Sequence, residues 1–326
     1  MKTDLPLLSI RDLVVNYPVS NRGRNFLTAV NGVSFDIHAG SIFGLVGESG
    51  SGKSSLAHTI MRLIPPTGGE VLFKGENLAQ MKGPILQKAR QKIQLVFQDP
   101  MASLSPRRSI LQTLIEPLDH FHVDKAVQRQ TRAVRALESV GLEAEVLQRF
   151  PHELSGGQKQ RVALARALIT EPELIIADEA LSSLDVSVQA RIIQLILDLR
   201  QKQGIAFLFI SHDLAVIQQL ADSVGVMYLG KMMEIAPAER LFQQAAHPYT
   251  RSLLNAVPVP DPAHRKPLAL KGDAPSSLTP PAACVFHTRC PRAEEQCSHI
   301  EPIKRQIGEA GMKNTAHNVW CHLWNE

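Results

Sequence analysis

The sequence predicts an α/β fold with an N-terminal antiparallel β-layer, a helical insert and a C-terminal arm that carries the cysteines. Two observations predict this class. Segments with apolar residues at helical spacing separate short apolar runs, and strands that alternate with helices indicate a parallel sheet. The apolar runs are typical of buried strands and comprise residues 42–46, 93–97, 174–177, 206–210 and 224–228.

The N-terminal elements differ in pattern from the central strands. Residues 7–15 and 30–37 mix alternating and β-branched apolar positions, which predicts the strands of the β-layer. Residues 42–46 are wholly apolar and end at a glycine, as expected of a buried parallel strand. A helix is predicted from residue 53 to about residue 63, and Pro65 ends it.

The middle and the end of the chain depart from strand–helix alternation. Residues 99–165 are predicted to be a largely helical insert, because apolar positions recur at helical spacing within 125–140 and Gly141 supplies a stop. The α/β pattern ends after about Pro237. Residues 257–281 are rich in proline and carry little periodicity, so they predict an extended linker or wrap-around arm.

Charge and hydropathy exclude several classes of function. The 326 residues include 35 Lys and Arg against 31 Asp and Glu, a formal charge of +4 that gives nucleic-acid binding no electrostatic support. No stretch reaches the roughly 18 to 20 uninterrupted apolar residues that a membrane-spanning helix needs. Residues 1–8 lack the features of a secretory signal. We therefore expect a cytoplasmic protein that does not cross a bilayer by itself.

A glycine-rich phosphate loop follows the strand at residues 42–46. Gly47 to Ser54 fit the pattern G-x-x-x-x-G-K-[ST] between a predicted strand and a predicted helix. Glycines let backbone N–H groups approach phosphate oxygens, Lys53 is expected to bridge the β- and γ-phosphates, and Ser54 is expected to hold Mg²⁺. The candidate nucleotide-binding residues here are Gly47, Ser49, Gly50, Gly52, Lys53, Ser54 and Ser55.

Two consecutive carboxylates follow the apolar run at residues 174–177. Asp178 is expected to emerge at the carboxyl end of its strand, where α/β sheets bind ligands, and to complete the Mg²⁺ shell. Glu179 comes next and is the candidate general base, or orienting group, for an attacking water.

The pentapeptide LSGGQ at residues 154–158 lies between the phosphate loop and the acidic pair. With this order of motifs the chain resembles the ATPase domains of ABC proteins. The resemblance implies a head-to-tail sandwich of two ATPase subunits, in which Ser155, Gly156, Gly157 and Gln158 reach the γ-phosphate held by the opposite subunit. It also implies that Asp185, in the segment Ser-Leu-Asp, crosses that interface.

The same resemblance assigns three further residues and shows one departure. It implies that Tyr17 stacks on adenine, that Gln98 touches Mg²⁺ or the lytic water, and that His212 contacts the γ-phosphate. The family usually has proline and then a small polar or β-branched residue after the second carboxylate, whereas this chain has Ala180 and Leu181. We still expect an active site.

The C-terminal part resembles the ATPase subunits of dipeptide and oligopeptide importers. The similar segments are residues 247–251, 272–276 and 284–291. The resemblance implies an ABC ATPase domain over residues 1–256 and an importer-type extension over residues 257–326. Segments 17–19 and 185–188 are more similar to the second ATPase of such operons.

This resemblance also implies a function and partners. ATP hydrolysis is expected to power import of dipeptides and oligopeptides, with the chain bound peripherally to the cytoplasmic face of the inner membrane. The expected partners are a second ATPase chain in a heterodimer, two membrane permease subunits and, indirectly, an extracytoplasmic solute-binding protein. Two alternatives stay open: import of another solute, such as a metal chelate or a glutathione-like compound, and a soluble mechanochemical role without transport.

All four cysteines lie in the arm, at Cys284, Cys290, Cys297 and Cys321. A reducing cytoplasm disfavours disulfides, and the C-x5-C-x6-C-x23-C spacing lacks the short knuckles common in zinc sites. Relatives among peptide-importer ATPases can bind a [4Fe–4S] cluster through such a tail, and four thiolates are the required ligand set. We therefore expect a [4Fe–4S] cluster at the four cysteines; a zinc ion and unliganded or redox-labile thiols are the alternatives.

Overall fold

A computed structural model of the chain describes residues 5–19, 26–97, 104–123, 125–182, 184–256, 272, 275–308 and 316–324. The chain divides into two compact units. The first contains the described residues of Met1–Leu8, Ile37–Ser41 and Phe73–Ile210, and the second those of Ser9–Asp36, Ile42–Leu72 and Ser211–Glu326.

The described residues form twelve strands and ten α-helices. The strands are β1 Leu8–Pro18, β2 Phe26–Ile37, β3 Ile42–Val46, β4 Gly68–Phe73, β5 Glu76–Asn77, β6 Ile93–Val96, β7 Leu174–Asp178, β8 Ala206–Ile210, β9 Ser223–Tyr228, β10 Lys231–Pro237, β11 Arg305–Ile307 and β12 His317–Val319. The helices are α1 Lys53–Ile60, α2 Gly83–Lys92, α3 Ile110–His120, α4 Ala126–Ser139, α5 Gly156–Leu168, α6 Val186–Gln203, α7 Leu214–Leu220, α8 Ala238–Gln244, α9 Pro248–Asn255 and α10 Gln296–His299.

The first unit contains three parallel strands in the order β6, β7, β8. The register pairs Leu174 of β7 with Ile93 on one side and with Ala206 on the other. Every residue of β7 and β8 is buried, which explains why these strands read as continuous apolar runs. In this register Asp178 lies beside Ile210 at the carboxyl ends of their strands.

The helical insert of the first unit is built from α3, α4 and α5, which pack against one another. Leu114 and Leu118 of α3, Leu137 of α4 and Val162 of α5 are among its buried residues. Ser109 starts α3 through a capping box with Gln112. The predicted helical character of this region is confirmed for its described residues.

The second unit has two sheets. One follows the order β11, β12, β10, β9, β3, in which β3 and β9 are parallel and the remaining pairs are antiparallel. The other places β1 between β2 and β4 and forms the N-terminal layer.

Two observed helices differ from the sequence prediction only at their ends. The helix α1 ends at Ile60 rather than near residue 63, and α4 spans Ala126–Ser139.

The C-terminal region contributes more regular structure than the sequence predicted. The prediction ended the α/β pattern near Pro237 and missed β10, which pairs antiparallel with β9. The chain then returns as β12, which pairs with β10 through Glu234 and Val319. Most of the predicted linker at residues 257–281 lies outside the described residues, and the domain boundary after residue 256 stays a prediction. Among the described residues, no helix is long and apolar enough to cross a membrane.

Candidate nucleotide-binding site

The phosphate loop connects β3 to α1 in the second unit, and its glycines are required by its shape. Gly47 has φ 154° and Gly52 has φ 100°. A Cβ atom on Gly47 would lie 2.1 Å from the carbonyl oxygen of Met227, and one on Gly52 would lie 2.0 Å from that of Ala29. Because both obstacles are backbone atoms, any larger residue would displace the loop.

Lys53 closes the loop from the first turn of α1. Its ammonium nitrogen donates to the carbonyl oxygens of Gly47 at 2.8 Å and Glu48 at 2.9 Å, and to the Ser51 hydroxyl at 3.1 Å. The Lys53 residue is only 5% exposed, whereas Ser54 beside it is exposed. The loop therefore holds the Lys53 ammonium group in place and leaves the Ser54 hydroxyl accessible at the start of α1. The backbone N–H groups at this helix start also favour binding of an anion.

Two other predicted residues lie in the same unit as the loop. The hydroxyl group of Tyr17, in β1, donates to Ser55 Oγ at 3.2 Å, so the aromatic residue is tied to the first helical turn. His212 is exposed and directly follows Ser211, whose N–H donates to the carbonyl oxygen of Leu45 in β3 at 3.2 Å. The structure thus brings both residues to the elements that carry the phosphate loop.

The acidic pair ends β7 in the first unit. Asp178 is 7% exposed, and Glu179 has a positive φ of 48°. Positive φ is uncommon outside glycine, asparagine and aspartate and is frequent at functional sites. Here the N–H of Glu179 donates to the carbonyl oxygen of Ile210 at 2.9 Å, which holds the turn against β8. The departures Ala180 and Leu181 are both buried and serve packing.

The LSGGQ segment forms the start of α5 in the first unit. Ser155 is the N-cap: its hydroxyl accepts from the N–H of Gln158 at 3.3 Å, and its own N–H donates to the Gln158 side chain at 2.9 Å. Gly156 is exposed, and a Cβ atom on Gly157 would lie 2.7 Å from Val188 in α6. The capping box explains why serine and glutamine occur at this spacing.

Asp185 is the N-cap of α6. Its carboxylate accepts from the N–H of Val188 at 2.9 Å and from the Ser187 hydroxyl at 2.7 Å, and these bonds lower the pKa of Asp185. Because Val188 also faces Gly157, the turn before α6 and the start of α5 are packed against each other.

Comparison with known proteins places this site in a family. An ABC transporter family model matches residues 30–182, and the family described as oligopeptide/dipeptide transporter, C-terminal region, matches residues 233–297. The oligopeptide transport ATP-binding protein AppF of Bacillus subtilis is 43% identical over 327 residues, which cover 98% of each chain. A Brucella ovis protein named for peptide import and ATP binding is 46% identical over 306 residues, 94% of this chain and 96% of its own.

The chain belongs to the ABC transporter ATP-binding family. The two matched regions place it in the oligopeptide and dipeptide branch. A solved dimeric ATP-binding cassette, in a post-hydrolysis state with ADP and phosphate, superposes with a TM-score of 0.64 and 29% identity, covering 71% of this chain and 98% of that one. The predicted fold class is confirmed, and the chain is an ABC-type ATPase of a transporter.

One predicted residue of this ABC ATPase cannot be placed. Gln98, expected to touch Mg²⁺ or the lytic water, lies outside the described residues, which stop at Phe97 and resume at Leu104. Of the Ser-Leu-Asp segment, Ser183 lies outside them as well.

Sequence reasoning missed a set of contacts on the second residue of the phosphate loop. The Glu48 carboxylate forms two hydrogen bonds with the Arg289 guanidinium, at 2.7 Å and 3.1 Å, and the N–H of Glu48 donates to the Tyr249 hydroxyl at 3.0 Å. Arg289 is 241 residues from Glu48, and Tyr249 is 201 residues away. No local pattern signals such pairs, although both residues belong to segments that identified the peptide-importer branch.

The helical insert of the ABC ATPase carries an open groove of about 900 Å³. Charged side chains border it, including Arg108 and Glu116, which form an ion pair at 2.6 Å. Arg166 of α5 pairs with the same carboxylate at 3.1 Å. The lining residues are Ser105, Arg107, Arg108, Gln112, Ile115, Glu116, Asp119 and His120.

The four cysteines of the arm are free thiols, three buried and one, Cys290, partly buried. Burial raises the pKa of Cys284 to about 11, and the other three thiols add to the increase. The N–H of Cys284 donates to the carbonyl oxygen of Cys297 at 3.1 Å, which brings these two residues together. Among the described residues, however, no group of three or more His, Cys, Asp or Glu is arranged to hold a metal ion. The arrangement therefore gives no support to the expected cluster.

Proposed function

We propose that this chain binds and hydrolyses ATP and thereby powers import of dipeptides and oligopeptides through membrane permease subunits. The observation that carries this proposal is the joint match of one chain to an ABC transporter cassette and to the C-terminal region of oligopeptide and dipeptide transporters. The names of its relatives, which refer to peptide import and oligopeptide transport, support the same cargo. In this role the chain would be a peripheral protein on the cytoplasmic face of the inner membrane.

The residues assigned to ATP have chemistry that suits a triphosphate. The phosphate-loop residues named above would bind its oxygens through backbone N–H groups, with Lys53 bridging the β- and γ-phosphates. Tyr17 would contact the adenine and His212 the γ-phosphate. The residue types also fit Mg²⁺, because the exposed Ser54 hydroxyl, the Asp178 carboxylate and the amide oxygen of Gln98 are the hard oxygen ligands it prefers. Bound Mg²⁺ would neutralise charge that develops on the phosphates.

Glu179 is assigned to the attacking water. It follows a carboxylate already assigned to Mg²⁺, and its unusual backbone conformation fixes the direction in which its side chain leaves β7. A carboxylate in this place can accept a proton from water or orient it, a contribution of about 10²- to 10⁴-fold in rate. Gln98 would assist by holding the same water.

Pairing of two ATPase chains completes the proposal. The exposed turn at Ser155 and Gly156, with Gly157 and Gln158, would contact the γ-phosphate bound to a second, different ATPase chain. Asp185, exposed at the start of α6, would lie at the same interface. ATP would then hold the two chains together, and hydrolysis would release them, a shift between closed and open states controlled by the ligand.

The helical insert around Gln98 to Pro106 is the proposed docking site for a permease subunit; residues 98–103 lie outside the described residues, and the described groove begins at Ser105. A cytoplasmic helix of the permease would lie in the groove, and helix-in-groove docking transmits rigid-body motion to the membrane subunits. Mixed charge along the groove supports a polar partner surface. An extracytoplasmic solute-binding protein would deliver the cargo to the permease pair.

We also propose that the cysteine arm takes up a [4Fe–4S] cluster. The support is the chemistry of the side chains alone: four free thiols are the required donor set. The raised pKa of Cys284 opposes loss of its proton, so cluster uptake would have to release protons from the thiols. Anaerobic purification followed by iron and sulfide analysis tests the proposal, and a colourless protein without iron would reject it.

The decisive experiment for the main proposal is co-expression of this chain with candidate partner ATPase, permease and binding-protein genes. Vesicles that contain the assembly should accumulate labelled dipeptides and oligopeptides only when ATP is supplied. Glu179→Gln should retain ATP binding and lose at least about 100-fold in hydrolysis and uptake. Uptake of a metal chelate or a glutathione-like compound instead of peptides would show that peptides are not the cargo. If Glu179→Gln left ATP hydrolysis unchanged, Glu179 would not be the general base.

A further inference from the structure

Glu48, in the phosphate loop, is held at three separate points. Its carbonyl oxygen accepts from Lys53 at 2.9 Å, its N–H donates to the Tyr249 hydroxyl at 3.0 Å, and its carboxylate binds the Arg289 guanidinium. Lys53 belongs to the loop itself. Tyr249 and Arg289 come from the region that characterises the peptide-transporter branch.

The two C-terminal residues are themselves fixed by packing. The rings of Tyr228, Tyr249 and Phe286 lie 4.7 to 5.4 Å apart and are all fully buried. The Arg289 guanidinium lies 5.8 Å from the centre of the Tyr228 ring and also donates to the Tyr228 hydroxyl at 3.3 Å. Such contacts restrict the rotamers of Arg289, so its fork meets the Glu48 carboxylate with little loss of further entropy.

The ion pair is shielded from water, which distinguishes it from an ordinary surface pair. The Arg289 side chain is 7% exposed and that of Glu48 is 26% exposed. The pKa of Arg289 is raised above its ordinary value, chiefly by its hydrogen bonds to Glu48. Partly buried, bidentate pairs of this kind are stronger and more directional than exposed ones.

We propose that Arg289 and Tyr249 are positioning residues that fix Glu48 and so hold the phosphate loop in its nucleotide-binding shape. The proposal rests on the proposed function, because it treats the loop as the ATP site. It gives the C-terminal region a role in that site.

Electrostatics give Arg289 a second effect. The loop must receive a triphosphate, and a carboxylate at its second position would repel that charge unless it is neutralised. Arg289 supplies the compensating charge to Glu48 through hydrogen bonds of 2.7 Å and 3.1 Å. Loss of Arg289 would leave a partly buried carboxylate in the loop, whereas loss of both charges would not.

The test measures ATP binding by the full-length chain, using equilibrium titration with ATP. Arg289→Ala should raise the Kd for ATP about tenfold, because it removes one partner of a shielded charge pair. Arg289→Lys should recover part of this loss. The double variant Glu48→Gln with Arg289→Ala should bind ATP more tightly than Arg289→Ala alone, because the uncompensated charge is gone.

A second variant keeps the proposal testable if Arg289→Ala does not fold. Tyr249→Phe removes only the hydroxyl that accepts from Glu48 and leaves the ring in the buried cluster, so a rise of a few-fold in Kd is expected. The matched control is Glu301→Gln, which removes an ion pair between the arm and Lys231 in β10 without touching the phosphate loop. This control should bind ATP as the wild type does.

In the assembled transporter the positioning role predicts a split between kinetic constants. Arg289→Ala should raise KM for ATP about tenfold and change kcat by less than about twofold, since Arg289 touches no reacting atom. If Arg289→Ala and Tyr249→Phe match Glu301→Gln in both Kd and KM, the inference is wrong although the proposed function stands. If the wild-type chain binds no ATP, the proposed function itself fails.

Discussion

Acidification should destabilise the buried junction around His247. This residue is 1% exposed and precedes α9, where its Nδ1 accepts from the N–H of Tyr249 at 3.0 Å. Burial lowers its pKa from 6.5 to about 4, with Arg251 lowering it further and Glu234 opposing the change. His247 is therefore neutral in the folded protein throughout the range in which an unfolded histidine takes up a proton.

The size of the effect follows from that difference in pKa. Each pKa unit corresponds to about 1.4 kcal/mol, so the difference between 6.5 and about 4 makes up to about 3 kcal/mol of folding free energy depend on pH. Because the folded pKa is depressed, this stability is present above pH 6.5 and is lost progressively as the pH falls from 6.5 through about 4. The nearby Glu234 has a lowered pKa, since hydrogen bonds outweigh its burial, so its own contribution is lost only below its ordinary value of 4.5.

Urea unfolding between pH 7 and pH 4 checks this reasoning, with tryptophan fluorescence as the probe. Both tryptophans of the chain, Trp320 and Trp324, lie in the same unit as His247. His247→Asn retains an acceptor for the N–H of Tyr249 but binds no proton, so the variant should lose about 3 kcal/mol less than the wild type over this range. His322→Asn, at a partly exposed position, is the control. An identical pH dependence in wild type and His247→Asn would refute the assignment.

Three further outcomes are expected. Gly52→Ala should weaken ATP binding more than tenfold in a titration, because its Cβ would lie 2.0 Å from the carbonyl oxygen of Ala29; unchanged affinity would contradict the loop geometry. Gly157→Ala should lower the free energy of unfolding by about 1 to 3 kcal/mol, because the added methyl group would be overpacked against Val188; a gain in helix propensity would offset part of this loss. In urea unfolding, the double variant Gly157→Ala with Val188→Ala should recover the lost stability. No rescue would mean that the contact is not responsible. Cys284, whose pKa burial raises to about 11, should be alkylated at pH 8 far more slowly in the native than in the unfolded chain, as followed by mass spectrometry; equal rates would contradict its burial.

The parts of the fold that sequence could predict are those fixed by neighbouring residues. The strand β3, the loop glycines and the start of α1 all follow from a short segment in which apolar run, glycine spacing and lysine agree. The capping box at Ser155 is equally local. The positive φ of Glu179 could not be predicted from neighbouring residues, because the N–H of Glu179 bonds to Ile210 in the adjacent strand β8.

Pairings between distant segments escaped prediction for the same reason. β12 has only three residues, and its pattern is too short to distinguish a strand from an irregular arm. What places it is the buried carboxylate of Glu234, which accepts from the N–H groups of Ala246 and His247 and lies 2.7 Å from the ring of His317. A glutamate within an apolar strand does not indicate in the sequence which distant residues will bind its carboxylate.

The buried junction and the phosphate loop are joined through a short stretch of chain, and this gives the pH effect a functional consequence. The ring of His247 accepts a hydrogen bond from the N–H of Tyr249, and the hydroxyl of Tyr249 accepts one from the N–H of Glu48 in the loop. Protonation of His247 would place a charge in an apolar site and favour its opening, which would withdraw Tyr249 from Glu48. ATP affinity should therefore begin to fall in the same pH range as stability, and it should fall less in His247→Asn. The region that identifies the peptide-transporter branch then acts on ATP binding through the hydrogen bonds that hold it in the fold.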